Sequence, residues 1–305
     1  MLNNLLLRKV KDSDFKNISK LFKLIFKKKI SKKFYNWRYF NKTYTSFVAL
    51  HKNRIVAHMG FTHYKLDNSS NKIFSRHSTF VAPEFQKMGI YQKLLKYTFE
   101  KLKTKSKFVI AWPNKANLIA SKSHAKFKII GKYNLFRKNY YSNKKNKFFK
   151  KLNKDFFKKN NIDQKNHIFF KDKKFIKWRY FNYKKKSFYS INLKQLENFI
   201  FQKQNEGKNS IYSIIDYYGK YIHYQKELKI LINFLIKKKI SFQLFIPTNK
   251  KVYNSIIKKE KISKVAEFNV GLYNIGNKKN NKIEIEKKIY DIIKISDTDV
   301  FIETS

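Results

Sequence analysis

One stretch of this chain combines the residue types that hold a phosphate: Ser78-Thr79-Phe80-Val81-Ala82-Pro83-Glu84-Phe85-Gln86-Lys87-Met88-Gly89-Ile90-Tyr91-Gln92-Lys93-Leu94-Leu95. Residues 73–81 read as a strand, Pro83 ends it, and Leu94, Leu95, Tyr97 and Phe99 then fall near one side of a helix that opens at Gly89. The first amides of a helix have no partner within it and sit at the positive end of its dipole. A helix that starts directly after a loop is therefore a natural cradle for a diphosphate. Gly89 allows close approach of the backbone to a phosphate, and Lys87 and Lys93 add positive charge.

The segment resembles the acetyl-CoA motif of the GNAT acyltransferases: a strand ending in V-x-P, then Q/R-x-x-G-x-G/A, then a Leu-rich helix. Val81-Ala82-Pro83, Gln86 and Gly89 match that pattern, while Tyr91 stands where the family carries a small residue. The resemblance implies acetyl-CoA or a related acyl-CoA as co-substrate, with no metal. Backbone groups of Thr79, Phe80 and Val81 would pair with the pantetheine arm as an added strand. Amides of Lys87, Met88, Gly89, Ile90, Tyr91 and Gln92 would hold the pyrophosphate, with Gln86 opening the loop. Asn114, after the next strand, would bind the cofactor arm, although an N-cap serves equally well for that residue. An amine would attack the thioester directly, with the Val81 amide stabilising the oxyanion. The family's tyrosine donor falls at Ser121 in this chain, with His124 one turn later. His77 and Glu84 flank the acyl site as base candidates. Each histidine also fits as an ordinary packed or surface side chain.

Those residues need a scaffold, and periodicity supplies one. Residues 5–10 read as a first strand, Asp12-Ser13-Asp14 as an N-cap, and Phe15, Ile18, Leu21, Phe22 and Ile25 as an amphipathic helix. A short helix over 34–40, a hairpin of 46–50 and 54–64 with His51-Lys52-Asn53 as turn, a buried strand over 108–112, a helix over 114–124 and a strand pair over 126–137 complete the unit. The chain then repeats itself. Phe34-Tyr35-Asn36-Trp37-Arg38-Tyr39-Phe40-Asn41 recurs as Phe175-Ile176-Lys177-Trp178-Arg179-Tyr180-Phe181-Asn182, and Ile110-Ala111-Trp112-Pro113-Asn114 is echoed by Phe245-Ile246-Pro247-Thr248-Asn249. Two landmarks in the same order point to duplication of one unit.

The resulting expectation is an α/β (α+β) protein of two tandem GNAT-like units, each a mixed, mostly antiparallel sheet flanked by helices. Residues 1–140 form the acyl-CoA-binding domain, 141–171 a connector with some helix, and 172–305 a degenerate second unit without a Gly-rich loop. Where that loop should lie the chain reads Asp216-Tyr217-Tyr218-Gly219-Lys220-Tyr221-Ile222. The terminal Ser296-Asp297-Thr298-Asp299-Val300-Phe301 and the Trp-Arg-Tyr segments resemble tandem GNAT-like proteins of surface-polysaccharide clusters. The acceptor expected on that basis is a small-molecule amine, an amino sugar or sugar nucleotide.

Composition sets the outer bounds. The net charge is +50, yet only six of the 70 basic residues are arginine. Arginine's planar fork is the usual reader of phosphate and guanine, so this lysine excess reads as a solvated surface and no specific nucleic-acid partner is expected. A tandem arrangement is also shared by Fem-type peptidyltransferases that use aminoacyl-tRNA, and a basic surface suits tRNA; the CoA-like loop argues against that reading. A non-catalytic basic nucleic-acid-binding protein is a further alternative without a motif to support it. The absence of cysteine excludes disulfides, thiolate catalysis and Cys-based zinc sites. No apolar run approaches the length of a membrane span and residues 1–7 are too short for a signal peptide, so a cytoplasmic location is expected.

Overall fold

The computed structural model describes residues 4–39, 44–65, 72–113, 115–123, 127–141, 147–159, 173–182, 187–191, 193, 196–206, 209–219, 223–247 and 254–276. The first half runs β1 (Leu5–Lys9), α1 (Phe15–Phe26), α2 (Lys32–Tyr39), β2 (Tyr44–His51), β3 (Arg54–Lys65), β4 (Lys72–Val81), α3 (Ile90–Leu102), β5 (Phe108–Ala111), α4 (Lys115–Lys122) and β6 (Phe127–Lys138). The second half follows the same order: β7 (Phe149–Lys151), α5 (Lys154–Lys159), α6 (Lys173–Ile176, continued by a π-helical turn Lys177–Phe181), β8 (Phe188–Ile191), β9 (Phe199–Glu206), β10 (Asn209–Tyr217), α7 (Tyr224–Lys237), β11 (Phe242–Pro247), α8 (Asn254–Lys259) and β12 (Ser263–Asn274). Within the stretch read as a connector, β7 pairs antiparallel with β8 as β1 pairs with β2.

Local chemistry explains the entry into α1. Asp12-Ser13-Asp14 forms a 3-10 turn, and Asp14 makes no side-chain cap on the helix itself. Its carboxylate instead accepts the Lys11 amide at 2.7 Å and two bonds from the Arg8 fork at 2.7 and 2.8 Å. The charge is thus spent on tying the end of β1 to the helix start. Ile18 and Leu21 then carry the buried side of α1. The β2–β3 hairpin closes on Lys52 and Asn53 alone, both left-handed at φ 47° and 63°, the backbone that matches strand twist in a two-residue turn.

The strands form one 12-stranded sheet in the order β1-β2-β3-β4-β5-β12-β6-β11-β10-β9-β8-β7. In each half a meander of antiparallel strands leads to a parallel pair, β4 with β5 and β10 with β11. The last strands are exchanged. β12, from the second half, lies antiparallel between β5 and β6, while β6, from the first, pairs antiparallel with β11. Residues 127–138 are consequently one long strand and not the strand pair expected from the sequence: the neighbour that would have followed them locally is replaced by β12.

On one face of the first-half sheet α1 and α2 bury Ile18, Leu21, Phe34, Tyr35 and Trp37 against Val48, Ile73 and Ile110. On the other, α3 buries Ile90, Leu94, Leu95, Phe99 and Leu102 against Met59, Phe61, Phe74 and Ala111. In the second half α7 plays the corresponding part, with Leu228, Leu231, Ile232 and Leu235 in its core. The repeated Trp-Arg-Tyr segments meet at a local two-fold relation. Trp37 Nε1 donates to the Trp178 carbonyl and Trp178 Nε1 to the Trp37 carbonyl, each at 2.7 Å, with the rings stacked at 5.8 Å. A duplicated sequence buries its own polar groups against its copy.

Replacing either indole donor leaves a buried carbonyl without its partner, which costs about 1–3 kcal/mol. Trp37→Phe and Trp178→Phe are each expected to lower the urea midpoint to a similar extent, and the double variant to lose less than their sum, because the two bonds share one interface. Additive losses would show that the indoles act independently.

Candidate functional site

β4 and β5 pair in parallel only at Phe74–Val109, Ser75–Ile110 and Arg76–Ala111. Beyond Arg76, β4 continues to Val81 with β3 as its strand partner, and β5 ends at Ala111 before Trp112 and Pro113. One backbone edge of residues 79–81 therefore lies where β5 has departed, with no strand beside it among the described residues. The parting is sharpened by a bulge: two residues of β4, Ser78 and Thr79, stand opposite one of β3, Met59, and Ser78 takes a left-handed φ of 51°. For a non-glycine residue that conformation is strained by about 1 kcal/mol or more, and such strain clusters at ligand sites.

The turn after β4 is equally open. Pro83–Phe85 forms a 3-10 turn, Lys87 has φ 64°, and Gly89 caps α3 at φ 74°. A Cβ placed on Gly89 would meet nothing within 4 Å. Gln86 N donates to the Pro83 carbonyl, and the next backbone bond is Lys93 N to the Gly89 carbonyl at 3.0 Å. Among the described residues no acceptor is recorded for the amides between them, Lys87 to Gln92. Lys87, Met88 and Gln92 are exposed around this row of donors. The Gln86 side chain reaches back to the Val81 carbonyl at 3.2 Å. These features fit a diphosphate, which needs convergent N–H donors, a positive dipole and no Cβ in its path.

Tyr91 does not lie in that path. Its side chain turns inward from the first turn of α3, and its hydroxyl meets Arg76 Nη1, the Ser121 hydroxyl at 3.3 Å and the Tyr273 hydroxyl at 3.5 Å. Arg76 Nη1 also donates to Tyr273 at 3.0 Å, and Nη2 donates to Ser121 Oγ at 3.1 Å. The guanidinium lies 5.5 and 5.2 Å from the Tyr91 and Tyr273 ring centroids. Burial raises the Tyr273 phenol above its ordinary range, with Arg76 pulling the other way. Four elements thus converge at the last paired rung of the splitting strands: β4, α3, α4 and, from the second half, β12.

On the opposite face, His77 is buried and its Nδ1 lies 3.1 Å from Arg38 Nη2. Arg38 donates to Nδ1, and the Thr62 amide donates toward Nε2 at 3.1 Å beside the Thr62 hydroxyl, so both ring nitrogens are engaged. Burial first, then the Arg38 charge, pushes His77 well below the usual imidazole range. It is a neutral imidazole whose lone pair is already taken. His58, on the facing strand, donates from Nδ1 to the Ser78 carbonyl at 2.8 Å and stacks on Phe80 at 4.9 Å. Burial pushes it down to about 4. His58 thereby braces the bulge. Glu84 is exposed and paired with Arg54; its own backbone amide and that partner hold it below the ordinary carboxylate range.

Of the residues singled out in the sequence, the structure brings Tyr91 and Ser121 into contact, lines up Thr79, Phe80 and Val81 along the open edge, and places Lys87 to Gln92 at the open turn. Phe80 is buried among Phe22, Phe26 and His58. The Thr79 hydroxyl is buried and has no hydrogen-bond partner among the described residues. His77 and Glu84 are both engaged elsewhere. Asn114, His124, Thr248, Asn249, Asp297 and Asp299 lie outside the described residues. Arg76, Tyr273 and His58 were not expected from the sequence. Among the described residues no group of three or more metal-ligating side chains is found, and no helix is long and apolar enough to cross a membrane.

Residues 7–122 match the model of the acetyltransferase (GNAT) domain. The match spans the open turn, the parting strands and Ser121. No curated protein sequence matches the chain. Solved structures share its fold at low identity. A GCN5-related N-acetyltransferase from Anabaena variabilis superposes with a TM-score of 0.64 at 10% identity, covering 89% of this chain and 73% of that one. The N-myristoyltransferase of Saccharomyces cerevisiae, with bound myristoylCoA, gives 0.61 at 11% identity over 90% and 83%. A tandem GNAT protein from the clavulanic acid biosynthesis pathway gives 0.55 at 8% identity, covering 90% of this chain and all of its own (100%).

The buried histidines have a pH consequence. Their folded-state pKa lies below the unfolded value, so the unfolded chain binds more protons as pH falls from about 6.5 toward 4. Stability is complete above that window and declines through it, by about 3 kcal/mol from His58 alone on the scale of ~1.4 kcal/mol per unit. Urea unfolding at pH 7 and pH 4.5 should show this decline, and His58→Gln should reduce it, leaving the His77 share; equal pH dependence in the variant would place the loss elsewhere.

Proposed function

We propose that the protein is an acyl-CoA-dependent N-acyltransferase whose donor site is the open turn at residues 86–92 together with the free edge of β4. The observation that carries this reading is the row of backbone amides from Lys87 to Gln92, presented at the start of α3 with open space in front of Gly89. A diphosphate accepts from such amides, and the pantetheine arm follows the unpaired edge of residues 79–81 as a short added strand. The Gln86 side chain, now on the Val81 carbonyl, would yield that acceptor to the arm. Acetyl-CoA or another acyl-CoA is the donor substrate.

The second substrate is an amine. Attack on the thioester carbonyl needs a neutral amine held near the parting strands, an oxyanion donor from the β4 edge such as the Val81 amide, and an exit for the sulfur. An amino sugar or sugar nucleotide suits the acceptor role, because a chain of charge +50 concentrates anionic metabolites at its surface. The second half, residues 172–305, is read as a partner that shapes the acceptor side and lends strand β12 to the first; the reaction is assigned to the cytoplasm.

Acetyl-CoA at about 100 times its dissociation constant should stabilise the fold by about 2.7 kcal/mol, visible as a raised melting temperature. Gly89→Glu puts a carboxylate where phosphate is to lie and strains φ 74°, so the melting shift should vanish in that variant. Lys93→Ala, on the rim, should retain most of it. A wild-type protein that melts identically with and without every CoA ester would end the reading.

A further inference from the structure

The far end of α3 borders a cavity that the donor site does not use. It measures about 440 Å³ and lies between the last turns of α3 and the starting ends of β2 and β4. The 13 residues of α3 span about 20 Å at ~1.5 Å per residue, which is the separation between this cavity and the turn at Gly89. The floor is aromatic. Phe47 and Phe74 belong to the core under α3, His63 lies 5.8 Å from the Phe74 ring, and Tyr97 meets Phe47 edge-on at 6.0 Å.

The charge around that floor has one sign. Lys9 is the β1 partner of Phe47, Lys72 opens β4, Lys101 belongs to α3, and Lys105 follows it; all four line the cavity. No carboxylate is among the described residues that line it. Lys101 Nζ lies 5.6 Å from the Tyr97 ring centroid, so cation and aromatic face meet on one wall. The negative end of the α3 dipole amounts to about half a charge, and its last carbonyls are taken: Lys103 N donates to Phe99 O, and Lys105 N and Ser106 N to Leu102 O. Four ammonium groups outweigh it. Lysine is common over this whole surface, but here it closes around an enclosed aromatic floor. Like charges gathered about one space repel, and an anion entering that space relieves the repulsion.

The two halves of this lining ask for different things. A phosphate alone would leave the aromatic floor wet, and an uncharged ring would leave the lysines unmatched. A planar base joined to phosphates meets both demands, and the volume falls within the ~300–1,000 Å³ range of small-molecule sites. We propose that this cavity is a nucleotide site distinct from the donor site, with the base on Phe47, His63, Phe74 and Tyr97 and the phosphates among the four lysines. Stacking on aromatic rings discriminates little between bases, so the ligand class is the nucleoside diphosphates as a group.

Coenzyme A carries an adenosine diphosphate of its own, so the two ends of α3 have to be read separately. ADP, UDP and inorganic pyrophosphate are titrated calorimetrically into the wild type, Gly89→Glu, Tyr97→Leu and the double variant Lys72→Glu with Lys101→Glu. Both nucleotides should bind the wild type and Gly89→Glu alike. The double lysine variant should bind them at least about tenfold more weakly, on the scale of hydrogen bonds to charged groups, while keeping its melting shift with acetyl-CoA. Tyr97→Leu should weaken the nucleotides and leave pyrophosphate unchanged. Should the double variant fail to fold, Lys101→Glu alone decides, since that side chain is exposed. Nucleotide binding lost in Gly89→Glu but kept in the lysine variant would place it at the donor turn and overturn the proposal. Pyrophosphate binding as tightly as UDP, or no binding of either nucleotide to the wild type, would overturn it too. Neither result touches the acyl-CoA reading, which stands on the melting shift with CoA esters.

Discussion

The structure depends on the exchange of terminal strands between its halves. β12 runs antiparallel to β6 from Ser263–Arg137 to Tyr273–Phe127, and the same β6 pairs with β11 on its other side. Neither half can close its sheet without the strand of the other, so the interface is made of backbone hydrogen bonds in addition to side-chain packing. In a chain of charge +50 that matters, because self-repulsion acts most strongly on contacts between separable bodies. The reciprocal indole-to-carbonyl bonds of Trp37 and Trp178 close the same relation on one face.

The exchange also explains which parts of the site could be read from sequence. The phosphate turn is local: Pro83, Gln86, Gly89 and the helix after them occupy consecutive positions, and periodicity marks both neighbours. The repeat was legible because a tryptophan and an arginine recur in register. Tyr273 had no such signal. It lies 182 residues beyond Tyr91 in the chain, and only the placement of β12 beside β5 brings the two hydroxyls together. The strand pair expected over 126–137 failed for the same reason, since alternation identifies a strand but not its partner.

A subtler signal was available in the choice between the two basic residues. Lysine covers the surface, whereas the arginines hold specific geometry. Arg8 forks onto Asp14, Arg54 pairs with Glu84, Arg137 grips the Gln243 amide oxygen at 2.8 and 3.2 Å, and Arg38 donates to His77 Nδ1. Arg76 and Arg179 are buried. A planar fork of five donors satisfies several acceptors at once, which a lysine ammonium on a flexible stem does less well. In a chain so strongly biased to lysine, each arginine marks a position where geometry mattered.

The two halves retain the same architecture but not the same electrostatics. β10 and β11 pair at Tyr212–Phe242 and Ser213–Gln243, and β10 carries a bulge between Ile214 and Asp216 as β4 does opposite His58 and Gly60. Beside this second parting Asp216 accepts from Tyr180 and from the Tyr217 amide, Tyr218 donates to Tyr180 at 3.4 Å, and buried Arg179 acts on both phenols. Burial, reinforced by Asp216, keeps both phenols far above their ordinary range. At the first parting Arg76 meets three hydroxyls, whereas at the second an arginine and an aspartate act on the same pair of phenols, so one architecture carries two different arrangements of buried charge.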